Sequence, residues 1–167
     1  MKAFKTVGIQ YAALPFRVEG RQVQILLITS RTTRRWVIPK GWPIRGLKPQ
    51  EAAALEAAEE AGIAGEIADK PIGSFHYLKR LKGEDDAAVQ VIVFPFRVET
   101  QSEDWKEQHQ RIFCWVDFRK AAAMVAEPGL KRLIRDLGVA RSPGFLARGL
   151  RSFHAWRTVA RARPALG

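Results

Sequence analysis

The sequence predicts an α/β layered domain, and three observations carry the prediction. Strand-like apolar runs lie on both sides of an Ala-rich helical segment centred near residue 55. Two more helical segments follow the last strand-like run. At 167 residues and 47% hydrophobic, the chain has single-domain size and can bury a substantial core.

Residues 5–16 have strand composition, Val18-Glu19-Gly20-Arg21 reads as a hairpin turn, and residues 23–29 read as the returning strand. A basic loop, 30–35, leads to a short apolar strand at Trp36-Val37-Ile38, which runs into the Gly/Pro loop that opens with Pro39-Lys40-Gly41. Pro49 in a first turn and Gly62 at the end bound a helix. Residues 72–80 and 88–98 read as two strands joined through 82–86, residues 100–109 as a polar loop, and residues 112–116 as a further strand. Asp117 can cap a helix running to Met124, and Glu127-Pro128 starts another running to Leu137. Arg141-Ser142-Pro143-Gly144 reads as a linker. After it, Phe145, Leu146, Leu150, Phe153, Trp156 and Val159 recur at helical spacing among arginines, the pattern of a basic amphipathic helix. The expected organisation is therefore a domain over 1–140 and a basic extension over 141–167.

The net charge is +11, and from Leu137 onward there are six arginines and no acidic residue. The extension thus carries more than half of the charge. It implies anionic contacts, or docking of its apolar stripe on its own domain or on a second copy in a homodimer. Cys114 is the only cysteine, so no intramolecular disulfide forms, and its apolar neighbours suggest a buried structural thiol. No apolar run reaches membrane-helix length, so no transmembrane segment is expected, and the N-terminus is too polar for a signal core. These features lead to the expectation of a cytoplasmic protein.

The chemistry centres on Glu56, Glu59 and Glu60, just ahead of Ala61-Gly62-Ile63. Carboxylates at i, i+3 and i+4 share one side of a helix. The helix around them is alanine, with no basic i+4 partners. Crowding like charges there is unfavourable unless a cation sits between them, and a hard divalent ion with oxygen ligands suits that role. A solvated acidic face is the plainer alternative. Strand, loop, helix with a carboxylate ladder, then glycine is a metal-and-phosphate layout.

Gly41, Glu56, Glu59, Glu60, Gly62 and Ile63 resemble the signature box of the Nudix hydrolases. Two positions depart: Leu47 stands where the box has its first Glu, and Leu55 where it has an Arg that orients the catalytic carboxylates. The resemblance covers roughly residues 5–137 and implies a Nudix-like α/β/α sandwich with a mixed β-sheet. It implies Mg²⁺, or Mn²⁺, held by Glu56, Glu60, Glu59 and the backbone carbonyl of Lys40, with Glu59 as general base.

Substrate phosphates need cations outside the metal shell, and guanidinium forks match their oxygens. Arg31, Arg34, Arg35 and Lys40 cluster just before the box. Lys79 and Arg80 lie at a hairpin end, and Arg111 begins the strand carrying Trp115. With the backbone at Gly41, these are the expected substrate contacts. Arg31, the WVIPKG run, Lys79-Arg80 and Arg111 look most similar to the diadenosine and diphosphoinositol polyphosphate phosphohydrolase branch. The implied activity is metal-dependent hydrolysis of a phosphoanhydride in a nucleoside or inositol polyphosphate. Two other readings stand beside it: a polyphosphate-binding or regulatory protein with weak turnover, and an enzyme acting on RNA 5′ ends, with nucleic acid as partner. Glu103, Asp104, Glu107 and His109 share the polar loop where the family sometimes carries a further base or ligand, and sequence does not choose among them. His76 reads as structural more readily than catalytic.

Overall fold

The computed structural model describes residues 6–80, 86–143 and 156–159. In order along the chain are β1 (Thr6–Glu19), β2 (Gln22–Thr29), β3 (Trp36–Val37), β4 (Lys40–Gly41), α1 (Pro49–Ala61) and β5 (Ile63–Ala68). Then follow β6 (Gly73–Lys79), β7 (Ala87–Gln101), β8 (Phe113–Asp117), α2 (Phe118–Met124), α3 (Pro128–Arg141) and β9 (Trp156–Val159).

One mixed sheet contains every strand among the described residues. Its spine runs β3-β2-β1-β7-β5-β9. β1 and β7 are parallel over most of their length and form the centre, while β1–β2, β5–β7 and β6–β7 are antiparallel. β4 pairs with β1 next to the stretch paired with β2, at Tyr11↔Gly41 and Ala12↔Lys40. That short pairing places the glycine of the box at the sheet, facing the helix that follows.

Side-chain alternation divides the core into two layers. Ala12, Leu14, Phe16, Ile25, Leu27, Val89, Val91 and Val93 face α2 and α3. Ala13, Leu26, Ile28, Phe94 and Phe96 face α1. The unbroken run Ile25-Leu26-Leu27-Ile28 is buried on both sides, as a central strand with helices on each face requires. The result is an α/β/α sandwich with a mixed sheet.

The helix boundaries follow local chemistry. α1 begins at Pro49, and the Lys48 N–H donates to Glu51 Oε2 at 2.9 Å. Glu51 is thereby used to cap its own helix. α1 ends at Gly62, whose φ of +66 is left-handed and whose N–H donates to the Ala58 carbonyl. The buried face of α1 is Ala52, Ala53, Ala54, Ala57 and Ala61, small side chains that let the helix lie close to the sheet. α2 is capped by Asp117, whose Oδ1 accepts from the Arg119 N–H at 2.9 Å.

Two elements differ from expectation. β5, directly after the box glycine, has no separate strand signal: its Ala64, Gly65 and Ala68 are poor strand formers, and pairing with β7 decides the matter. In the extension, the described residues Trp156–Val159 form a strand antiparallel to β5 instead of a helix. Trp, Thr and Val favour extended backbone, and β5 offers an open edge opposite β7. The rest of the expected extension helix, residues 144–155, lies outside the described residues.

Candidate active site

Glu56, Glu59 and Glu60 of α1 project from the helix side that faces β4 and the segment between β7 and β8, residues 102–112. Helical periodicity alone places them together, but each meets a different partner. A Cβ on Gly41 would overlap the Glu56 carboxylate, so that carboxylate rests directly on the glycine of β4. Glu59 accepts from Lys106 Nζ at 2.8 Å in an exposed pair. Glu60 is buried. Its Oε2 accepts from the backbone N–H of Lys40 at 3.2 Å, and its Oε1 accepts from Nη2 of Arg111.

Electrostatics mark the buried end of this group. Burial pushes the Glu60 carboxyl up to about 7, against the lowering effects of Arg111 and Lys40. Burial, then the neighbouring Glu59, raises the Glu56 carboxyl. Lys40 is lowered by its own burial, against the opposing pull of Glu60. The site is rich in desolvated carboxylates.

Arg111 is turned inward. Its Nε donates to Glu107 Oε2 at 2.7 Å, its Nη1 to the Thr29 carbonyl at 3.0 Å, and its Nη2 to Glu60. Its side chain is 8% exposed. Three of its five N–H groups are donated to protein acceptors, and little of the guanidinium is open to the substrate contact expected of it.

Other cations expected at the site fall into two groups. Arg31 reaches Glu107 at 3.5 Å and Gln110 at 3.3 Å, and Arg34 donates to the Gln110 carbonyl at 3.3 Å. Arg35 faces Glu127 at 3.8 Å. All three hold the 30–35 loop to neighbouring segments while keeping part of their surface open. Lys40 and Lys79 instead lie over rings: Lys40 Nζ is 4.9 Å from the centre of Tyr77, and Lys79 Nζ is 4.9 Å from that of Trp42. Arg80 is almost fully exposed, 3.9 Å from Asp86 at the base of the β6–β7 connection. His76 and His109 are both exposed.

Among the candidates in the polar loop, Glu107 comes to the site. Its N–H donates to the Glu59 carbonyl at 3.0 Å, the Ser102 N–H donates to the Gly62 carbonyl at 2.8 Å, and the face of Trp105 lies where a Cβ on Gly62 would fall. These contacts dock the loop on the end of α1. Glu127, the residue before α3, lies near Lys40, Tyr77 and Arg35. The Lys48–Glu51 cap was also open to sequence reasoning, through the acid three residues past the N-cap. The positions of Glu107 and Glu127 had no such local signal.

Among the described residues, no three acidic, imidazole or thiol groups converge as a ready-made metal cluster. No described helix is long and apolar enough to cross a membrane.

Comparison with known proteins follows the same outline. Nudix hydrolase 17, mitochondrial, from Arabidopsis thaliana is 31% identical over 100 residues, 60% of this chain and 53% of the relative. Diphosphoinositol polyphosphate phosphohydrolase 3-alpha from Mus musculus is 32% identical over 100 residues, 58% of this chain and 54% of the relative. The chain spans about half the length of these curated relatives. In fold it is similar to the C. elegans Ap4A hydrolase, with a TM-score of 0.54 at 18% identity, covering 77% of this chain and 94% of that one. It is also similar to the NUDIX domain of Shewanella oneidensis NrtR, with a TM-score of 0.59 at 14% identity, covering 82% and 90%. The NUDIX domain model matches residues 9–137, from within β1 into α3, and the chain belongs to the NUDIX family.

Proposed function

We propose that this protein hydrolyses a phosphoanhydride bond in a polyphosphorylated small molecule, assisted by Mg²⁺ or Mn²⁺. The observation that carries the reading is the meeting of α1 with β4: Glu56 rests on Gly41 and Glu60 on the Lys40 amide. Family membership supports hydrolysis, and the name of the mouse relative supports a highly phosphorylated substrate.

The residues present fit a hard divalent cation. The side-chain donors are carboxylate oxygens, two of the carboxyls are raised by burial, and the bare Gly41 leaves room for one of them. Lys40 adds to the fit. The N–H and C=O of one strand residue point to the same edge, so the Lys40 carbonyl shares the side on which its N–H meets Glu60. Glu59 joins when its exposed pair with Lys106 opens, and such pairs are worth about 1 kcal/mol or less. When bound, the ion would neutralise phosphate charge and lower the pKa of a coordinated water.

The remaining work falls to side chains. Glu59 is expected as the base that takes the water proton, yet it is engaged by Lys106. Among the described residues Glu56 accepts no hydrogen bond from a cation, and burial raises its carboxyl, which favours it for that role. Lys40 and Lys79, whose ammonium groups lie over the rings of Tyr77 and Trp42, would receive the substrate's further phosphates. Arg31 and Arg35, each about half exposed, would meet longer substrates.

The test is turnover of a panel of nucleoside and inositol polyphosphates with Mg²⁺, and then with chelator. Glu56→Gln and Glu60→Gln are expected to lose at least about 100-fold in kcat while keeping the parent's circular dichroism. Full turnover in chelator, or in both variants, would refute the reading.

A further inference from the structure

The geometry points to Arg111 as the positioning residue that holds Glu60 of α1 and Glu107 in register, an orienting role of the kind left vacant by Leu55. This inference rests on the phosphoanhydride reading above. In α1 the box arginine is absent, and Leu55 offers no hydrogen bond to a neighbouring glutamate. Arg111 arrives from the other side of the site, 51 residues away from Glu60 in sequence. Nε, Nη1 and Nη2 each donate to a different acceptor: Glu107, the Thr29 carbonyl and Glu60. A guanidinium holds its donors in one rigid plane, so three acceptors from β2, α1 and the β7–β8 segment are fixed relative to one another. The charged partners are buried as well, with side chains 8% exposed at Arg111, 10% at Glu60 and 13% at Glu107.

A cation beside a metal site ordinarily opposes the ion. Here the opposition is offset, because the fork that holds Glu60 also holds Glu107, and Arg111 with Glu107 adds no net charge. Each carboxylate oxygen has two lone pairs, so Glu60 can keep both its Arg111 and its Lys40 hydrogen bonds and still present oxygen to an ion. Loss of Arg111 would free Glu60 and Glu107 to turn apart, and the site would lose two placed carboxylates at once. The same burial that argues for positioning argues against substrate contact, because three of the five N–H groups are donated to protein and the side chain is 8% exposed.

The experiment compares the full chain with Arg111→Met and Arg111→Lys in two readouts. One is kcat and KM on the best substrate of the panel. The other is Mn²⁺ binding to substrate-free protein, followed by electron paramagnetic resonance. The expected result for Arg111→Met is a fall of about tenfold to 100-fold in kcat, a KM within threefold of the parent, and Mn²⁺ binding weakened by about tenfold or more. Arg111→Lys is expected to fall between, since one ammonium cannot hold the three acceptors in a plane. A rise in KM with kcat and Mn²⁺ affinity unchanged would overturn the inference and make Arg111 a substrate contact. Parent values in every readout would overturn it too. If Arg111→Met fails to fold, Arg111→Lys decides alone by the same criteria. If the parent turns over no phosphoanhydride, the functional reading fails by itself, and the Mn²⁺ measurement still reads the positioning role.

Discussion

Glu60 and Glu107 meet at one guanidinium, yet reach it by different routes. Glu60 stands on α1, where Pro49 starts the helix, Gly62 stops it, and an alanine face presses it against the sheet. Its direction follows from helical geometry once that face is buried. Glu107 stands in a segment without regular structure. One main-chain hydrogen bond to α1 and one to its C-cap Gly62, the packing of Trp105 on Gly62, and Arg111 itself hold it in place. The helix half of the site is local and survives small changes elsewhere. The loop half exists only while tertiary contacts do, so the two halves should break differently.

The most damaging way to break the helix half without touching a carboxylate is Gly41→Ala. The added methyl would occupy the place of the Glu56 carboxylate, which is the far end of a flexible side chain and can move aside. The fold should therefore survive while the carboxylate shifts by about an ångström. A displacement of that size at a reacting group costs about 100-fold in rate. The expected outcome is a kcat lower by that factor with a melting temperature within about 2 °C of the parent, checked by steady-state kinetics and thermal denaturation. Unchanged kcat would mean that Glu56 works from a position other than the one against β4.

A second prediction separates the buried end of the site from the exposed one by pH. The Glu60 carboxyl is raised from 4.5 to about 7 in the folded protein. Between those values the folded chain holds a proton that the unfolded chain has released. The metal-free protein must then lose stability as pH rises through that window, by up to about 3 kcal/mol from this group. In chelator, melting temperature should fall between pH 5 and pH 7.5, and Glu60→Gln should flatten the slope. Added Mg²⁺ should oppose the fall and release protons on binding, because a carboxylate must be ionised to hold it. A parent slope identical to that of Glu60→Gln would show that Glu60 is ionised throughout the window.

The same division explains what could be read from sequence. The layered α/β class, the α1 boundaries, the cap of α2 and the start of α3 were legible, because each has a local signature: apolar strand runs, a proline in a first turn, a glycine at a helix end, an Asp before a helix. Glu56, Glu59 and Glu60 were legible as a group for the same reason. Their partners were not. Lys106, Glu107 and Arg111 are spread through an irregular segment whose spacing has no period, and nothing local told Glu107 from Glu103. β5 was hidden because its residues are weak strand formers made into a strand by β7. β9 was hidden because Trp156 and Val159 also fit a helical stripe, and the open edge of β5 outweighs that pattern. Arg111 was noticed for its charge, but its inward turn depends on the burial of Glu60 and Glu107, a tertiary fact.

The smallest expected effect belongs to Leu55→Arg, and it sharpens the comparison most finely. On the box pattern this substitution restores a missing orienting group and should raise activity strongly. In this fold the positions it would serve are already filled, Glu60 by Arg111 and Glu59 by Lys106. On α1 a new arginine at 55 faces Glu59 one turn later, and an i,i+4 pair is worth about 0.2–0.5 kcal/mol, with less expected when the cation lies N-terminal to the anion. That corresponds to a factor of about two in rate at most. The expected outcome is thus a kcat within about twofold of the parent, measured beside Arg111→Met. A tenfold gain would show that the carboxylates of the parent are poorly held and that Arg111 is no substitute for the box arginine. A tenfold loss in a folded variant would show instead that the half-buried Leu55 packs as part of the site.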